Sequence, residues 1–332
     1  HREGEGHFIL TGSSVPAKTE EIFHSGAGRY GYLTMRPMSL WESGESSGDV
    51  SLEALFENEN NQISGHSNIN IDELAFLMCR GGWPETLKKR TEKAALIIAT
   101  EYYETIVRTD ISRADGIARN EDKARDIMRS YARQQGAQAN ISTILADIGF
   151  NGEKSVSDQT IISYLNALRK IFVIDDMKAW NPNLRSKTAV RTSDTRYFSD
   201  PSIAAASLGI GPKDLLLDIS SMGLLFEALA IRDLRVFTDA LGGSVYHYRD
   251  KSGLECDAVV HLRNGSYGLI EIKLGGDDLI NSGVKTLLKL ADKIDTTKMK
   301  KPSFLMVLTG IGEYAYRRED GVLIVPIGCL KD

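Results

Sequence analysis

Asp257, followed after thirteen residues by Glu271-Ile272-Lys273, is the spacing in this sequence best suited to chemistry. Asp257 opens CDAVVHL, which reads as a strand, and Glu271 and Lys273 stand two apart in the next one. Period-2 alternation sends Glu271 and Lys273 to one face of that strand while Ile272 turns into the core. Two carboxylate oxygens with a backbone carbonyl suit a hard divalent cation, and Mg²⁺ keeps waters that can serve as nucleophile. The lysine can orient such a water and stabilise charge growing on a phosphate in the transition state. Glu227, on the helix expected just ahead, offers a further carboxylate. Taken alone, a Glu/Lys doublet is more often an ordinary surface pair; the strand order around it and Glu227 are what favour a site.

The elements that must position these residues follow from periodicity. Residues 223–234 read as a helix, and residues 245–248, 256–262 and 266–272 as three short strands. Turns at 250–253 and at Asn264-Gly265 join the strands into a meander. Val284, Leu287, Leu288 and Ala291 lie at helical spacing within 282–294, and apolar strands are expected at 304–308 and 322–325. The order is helix, three strands, helix, strand, strand.

Upstream, Ile141, Ile144 and Leu145 share one face of a helix, and Ile161, Ile162, Tyr164, Leu165, Leu168 and Ile171 form a stripe on a second. Two helices across a short turn make a helix-turn-helix, and strands at 172–174 and 196–199 would flank a wing. Lys178, Arg185, Lys187, Arg191 and Arg196 stand there against the single acid Asp194. Such a wing can engage a phosphate backbone, with Arg185, Lys187 and Arg191 as the nucleic-acid contacts, or serve as a protein-protein module. Residues 71–133 are helical in pattern, broken at Gly81-Gly82-Trp83-Pro84. Residues 42–70, rich in Gly, Ser, Asn and acids, read as a mobile insertion. Residues 8–11 and 32–35 read as short strands with a helix at 18–24 between them.

With 332 residues the chain is long enough for two or three domains at roughly 100 to 200 residues each. Hydrophobic residues at 42% and charged residues at 26% exclude a disordered or membrane-embedded class. No apolar run reaches the roughly 20 residues of a membrane span, and the first residues carry no secretory signal, so a cytoplasmic location with no membrane partner is expected. Cys79, Cys256 and Cys329 have no CxxC spacing and are expected as buried thiols. A net charge of -5 argues against a chain coated in nucleic acid and confines any such contact to a local patch.

The segment from about residue 222 to 325 resembles the PD-(D/E)xK restriction-endonuclease-like nucleases, whose core is helix, three strands, helix, strand. The resemblance implies Asp257 and Glu271 as metal ligands, Lys273 as the catalytic lysine and Glu227 as the helix acid. The proline that often precedes the aspartate is replaced by Glu255-Cys256.

A wider resemblance is carried by FILTGSS, RPMSLWE, RGGWPETL, YYETIVRTDISR, YFSDPSIAAASLG, GLLFEALAIRDL and YRDKSGLECDAVV, which occur in this order. Together they look like AAA+ ATPases of the AAA_14/DUF4143 family. That likeness implies an ATP-binding parent protein, with Thr11 or Ser13 at the sensor position and Arg29 as a finger for the γ-phosphate. A lone loop arginine is more commonly a solvated surface residue. Association with a second copy through the ATPase core and contact with DNA are further expectations. Neither GxxxxGK[ST] nor an apolar strand ending in paired acids precedes FILTGSS, so the chain is expected to begin inside the ATPase domain and to hold ATP weakly by itself. The expected fold is α/β and multidomain: an ATPase-core remnant with its insertion (1–70), a helical connector (71–133), a winged helix (134–210) and a nuclease-like domain (211–332).

Overall fold

The computed structural model describes residues 9, 11–12, 31, 33–58, 62–149, 156–182 and 193–332, and over these the chain is α/β with a mixed sheet. The first elements are β1 (Val50–Ser51), α1 (Leu52–Glu57) and β2 (Gly65–His66). A helical region follows: α2 (Ile71–Arg80), α3 (Pro84–Leu87), α4 (Glu92–Thr105), α5 (Ile111–Arg113), α6 (Glu121–Ala132), α7 (Ile141–Gly149) and α8 (Asp158–Lys170). Next come α9 (Pro201–Leu208), α10 (Pro212–Leu217), α11 (Ile219–Ala240), β3 (Gly243–Arg249), β4 (Glu255–Leu262) and β5 (Tyr267–Lys273). The chain closes with α12 (Asp277–Lys293), β6 (Phe304–Thr309), β7 (Tyr314–Arg317), β8 (Leu323–Pro326) and β9 (Leu330–Lys331).

Seven strands form one sheet in the order β2-β7-β8-β6-β5-β4-β3. β3, β4 and β5 are the expected antiparallel meander, and β5 crosses through α12 to the parallel β6. Both faces of the sheet are covered, which is why β5 reads as a nearly continuous apolar run. Ala258, Val260, Ile270 and Ile272 lie in the core shared with α11. Val259, Leu269 and Val307 lie in a second core with Val284, Leu287 and Leu290 of α12. The three cysteines are free and buried, as expected.

Residues 50–66, expected to be mobile, instead carry β1, α1 and β2. β1 pairs with β9, and β2 adds the outer strand beside β7. The averaged composition hid four apolar residues: Val50, Leu52 and Leu55 are buried, and the ring of Phe56 lies 5.1 Å from that of Phe304. Ser51 caps α1 by accepting from the Ala54 N–H at 3.2 Å.

In the helical region the Gly-Pro break ends α2 and starts α3 at Pro84. Ser157 caps α8, whose Ile161, Leu165 and Leu168 are buried. The two strands expected beside the wing are reduced to single bridges, Ile174 with Phe198 and Met177 with Thr195. Phe172 takes a left-handed φ of 58° directly after α8, and the Arg196 N–H turns away to Ala137 O, so a continuous ladder cannot form. A further bridge joins Ala179 to His247 on β3.

One buried charge cluster ties these parts together. Asp200 caps α9 through the Ser202 N–H (2.9 Å) and also accepts from the Gly82 N–H (2.9 Å) and Arg232 Nη1 (3.0 Å). Arg232 Nε donates to Asp233 at 2.8 Å, and Asp233 accepts from the Leu40 N–H at 3.0 Å. All three side chains are buried. Removing Asp200 leaves Arg232 paired with Asp233 but takes the acceptor from the buried Gly82 N–H and from Arg232 Nη1, at a cost of about 1–3 kcal/mol for each. Asp200→Ala is therefore expected to lower the thermal unfolding midpoint followed by circular dichroism by several degrees, and an unchanged midpoint would refute this role.

Candidate functional site

Along β4 the pairing with β3 changes register. Tyr246 faces Val259 and Tyr248 faces Cys256, so one residue of β3, His247, opposes two of β4, Asp257 and Ala258. Such bulges re-aim side chains and interrupt pairing. Pairing of β4 with β5 stops at Ala258 and Ile270. Beyond that point the Ile272 N–H donates to Asp257 Oδ2 at 2.7 Å, so a side-chain carboxylate takes the place of a ladder carbonyl.

Lys273 Nζ donates to the same Asp257 oxygen at 2.9 Å and pairs with Glu271 Oε2 at 2.7 Å. Glu271 is 4% exposed. Gly283 of α12 gives these side chains room: a Cβ there would come 3.2 Å from Glu271 Cβ and 3.6 Å from Lys273 Cε. The fourth member, Glu227, projects from α11. Its Oε1 accepts a short hydrogen bond from the Tyr197 hydroxyl. Gly136, at φ 71°, lies against the same carboxylate, where an added Cβ would come 2.9 Å from Oε1.

The electrostatics record the crowding. Burial, and next the Asp257 charge, push Glu227 up to about 8 against the lowering effects of Tyr197 and Lys273. Burial and Asp257 push Glu271 up to about 7 although Lys273 opposes the shift. Burial alone would lower Lys273, but Asp257 and Glu271 outweigh it and raise its pKa. When all are ionised, three carboxylates face one ammonium, which leaves two negative charges uncompensated at a mostly buried place.

A divalent cation restores that balance, and the oxygen donors of Asp257 and Glu271 suit Mg²⁺. Among the described residues no group of three or more His, Cys, Asp and Glu side chains forms a ready cation cage. Mg²⁺ does not require one, because it keeps several waters and is commonly held by one or two carboxylates with substrate phosphate.

Of the residues singled out in the sequence, Glu227, Asp257, Glu271 and Lys273 thus come together. Thr11 is exposed outside any element, and Ser13, Arg29, Arg185, Lys187 and Arg191 lie outside the described residues. So does most of the stretch read as strand, helix and strand over residues 8–35, whereas Leu33, Thr34 and Met35 are described, exposed and not part of the strand expected there. Arg196, counted with the basic wing, is committed to Asp176 at 2.9 Å and to Ala139 O at 3.0 Å. Sequence reasoning missed Tyr197 and Gly136. The only available signal was that a tyrosine in an apolar stretch must find a partner for its hydroxyl when buried.

Fold and site together define an α/β protein in which a helical region abuts a mixed-sheet domain carrying an acid-lysine cluster. Residues 71–214 match the model of a family described as Domain of unknown function (DUF8612), and residues 222–330 that of Domain of unknown function (DUF4143). The second match encloses all four clustered residues and supports the DUF4143 part of the resemblance. No curated protein matches the chain. Among the described residues no helix is long and apolar enough to cross a membrane.

Because their pKa values are raised, Glu227 and Glu271 hold protons in the folded state that the unfolded chain releases above its ordinary value of 4.5. Their contribution to stability is complete below that value and is lost as pH rises towards 7–8. Glu227→Gln removes one such group. Denaturant titrations are expected to show this variant gaining stability relative to wild type between about pH 5 and 8; a difference constant with pH would contradict the assignment.

Proposed function

We propose that the C-terminal domain is a Mg²⁺-dependent phosphodiesterase acting on DNA, within a DNA-associated, ATP-binding protein of the DUF4143 type. The observation that carries this reading is the acid-lysine constellation: Lys273 Nζ lies 2.9 Å from Asp257 Oδ2 and 2.7 Å from Glu271 Oε2, and Glu227 of α11 is near enough for the charges of all three to act on it.

In this reading Asp257 and Glu271 would hold the cation, which supplies Lewis acidity and an activated water when bound. Lys273 Nζ, placed between the two carboxylates, would donate to the attacking water or to a phosphate oxygen. Glu227 would add negative charge on the α11 side and can take up a proton near neutral pH. A bond would form between the water oxygen and phosphorus as that water gives up a proton to solvent, the phosphorus–ester oxygen bond would break, and the departing oxygen would take up a proton from solvent. α8 presents Gln159 and Asn166 on its exposed face, and with Arg185, Lys187 and Arg191 it would supply contacts to the DNA backbone. Thr11, Ser13 and Arg29 would belong to the nucleotide-sensing side of the ATPase.

A second reading keeps the fold as an ATP-dependent regulator or protein-interaction module without cleavage. It is favoured by Ile162, which is 42% exposed on the same face of α8.

Nicking of supercoiled plasmid with Mg²⁺ or Mn²⁺ separates the two. Wild type is expected to nick, and Asp257→Asn and Lys273→Ala to fall by at least about a hundredfold. Equal cleavage by the variants would reject the site, and an inert wild type would favour the second reading.

A further inference from the structure

Tyr197 lies in the stretch matching one family, and Glu227 in the stretch matching the other. Their hydrogen bond therefore joins the acid cluster to the preceding region. Resting on the metal-site reading above, we propose that Tyr197 is a positioning residue that holds Glu227 for divalent-cation binding, so that the helical region completes the site of the C-terminal domain.

The Glu227 carboxylate ends a flexible side chain and, when ionised, is repelled by the charges of Asp257 and Glu271, which would drive it away from the cluster. A hydrogen-bond donor must hold it there. Arg or Lys in that place would hold it equally well but would cancel part of the charge that attracts a cation. A phenol donates without adding charge.

Tyr197 is itself tightly held. It is 1% exposed, and the Arg235 guanidinium lies over its ring at 5.7 Å while binding Asp175 at 3.3 Å. Gly136 closes the other side of the Glu227 carboxylate, and the Gly136 N–H is fixed to Arg196 O at 3.1 Å. Two residues of the helical region thus confine one carboxylate of the C-terminal domain.

The test measures Mn²⁺ affinity by electron paramagnetic resonance on the full chain, without substrate, alongside thermal midpoints. Tyr197→Phe is expected to weaken Mn²⁺ binding about tenfold, and the Tyr197→Phe/Glu227→Gln double variant to bind no more weakly than Glu227→Gln alone. Unchanged affinity in Tyr197→Phe, with binding lost in Asp257→Asn, would overturn the inference and leave the metal site standing. Wild type and Asp257→Asn behaving alike would overturn both. If Tyr197→Phe unfolds under assay conditions, Gly136→Ala reads the same confinement: weakened binding supports it, and unchanged affinity refutes it.

Discussion

An arginine buried between two buried aspartates constrains the rest of this molecule. Neither Arg232 nor its partners Asp200 and Asp233 can reach water, so each must find the others or bear an unpaired charge in the interior. The groups that complete the cluster are backbone N–H donors from two further places, Leu40 and Gly82. Four segments distant in sequence are thereby brought to one point. Arg232 and Asp233 also fix the rotation of α11, because sliding that helix by one residue would leave a charge without its partner. Glu227 stands on the same helix, a little over one turn earlier. The direction in which the acid cluster receives its α11 carboxylate is therefore set by a charge network that takes no part in the cluster.

The acid cluster follows the opposite logic. In the Arg232 network backbone N–H groups of Leu40 and Gly82 help to satisfy the two carboxylates, whereas the Lys273 cluster answers its crowded carboxylates by holding protons more tightly. The sheet contributes by failing to pair. The early end of the β4–β5 ladder frees the Ile272 amide from strand pairing, and the bulge beside Asp257 lets its carboxylate accept from that amide. Local disorder in the ladder thus becomes order in the site.

What could be read in the sequence was local. Alternation put Glu271 and Lys273 on one face, turn residues at 250–253 and Asn264-Gly265 marked the meander, and glycine with proline marked the break after α2. The same period-2 rule could not place Asp257, because a bulge breaks the period at that residue. Composition averaged over residues 42–70 concealed Val50, Leu52 and Leu55, whose burial depends on β9, far along the chain. Basic residues near the wing were counted as one patch, yet Arg196 is spent on Asp176, a pairing twenty residues away that spacing does not announce. The partnership of Tyr197 with Glu227 is of the same kind: both residues were visible, and only the tertiary structure joins them.

The two family matches meet within residues 215–221, where α10 gives way to α11. A boundary there suggests two modules joined end to end, but a buried ion pair and the hydrogen bond to Glu227 cross it. Moving the helical region off α11 would take Asp200 from Arg232 and the hydroxyl from Glu227 in a single step. The first loss exposes a buried charge to an apolar surround, and the second releases a carboxylate into repulsion from its neighbours. Both costs fall on the same displacement, so the two regions are energetically one unit around the acid cluster even though they match separate families.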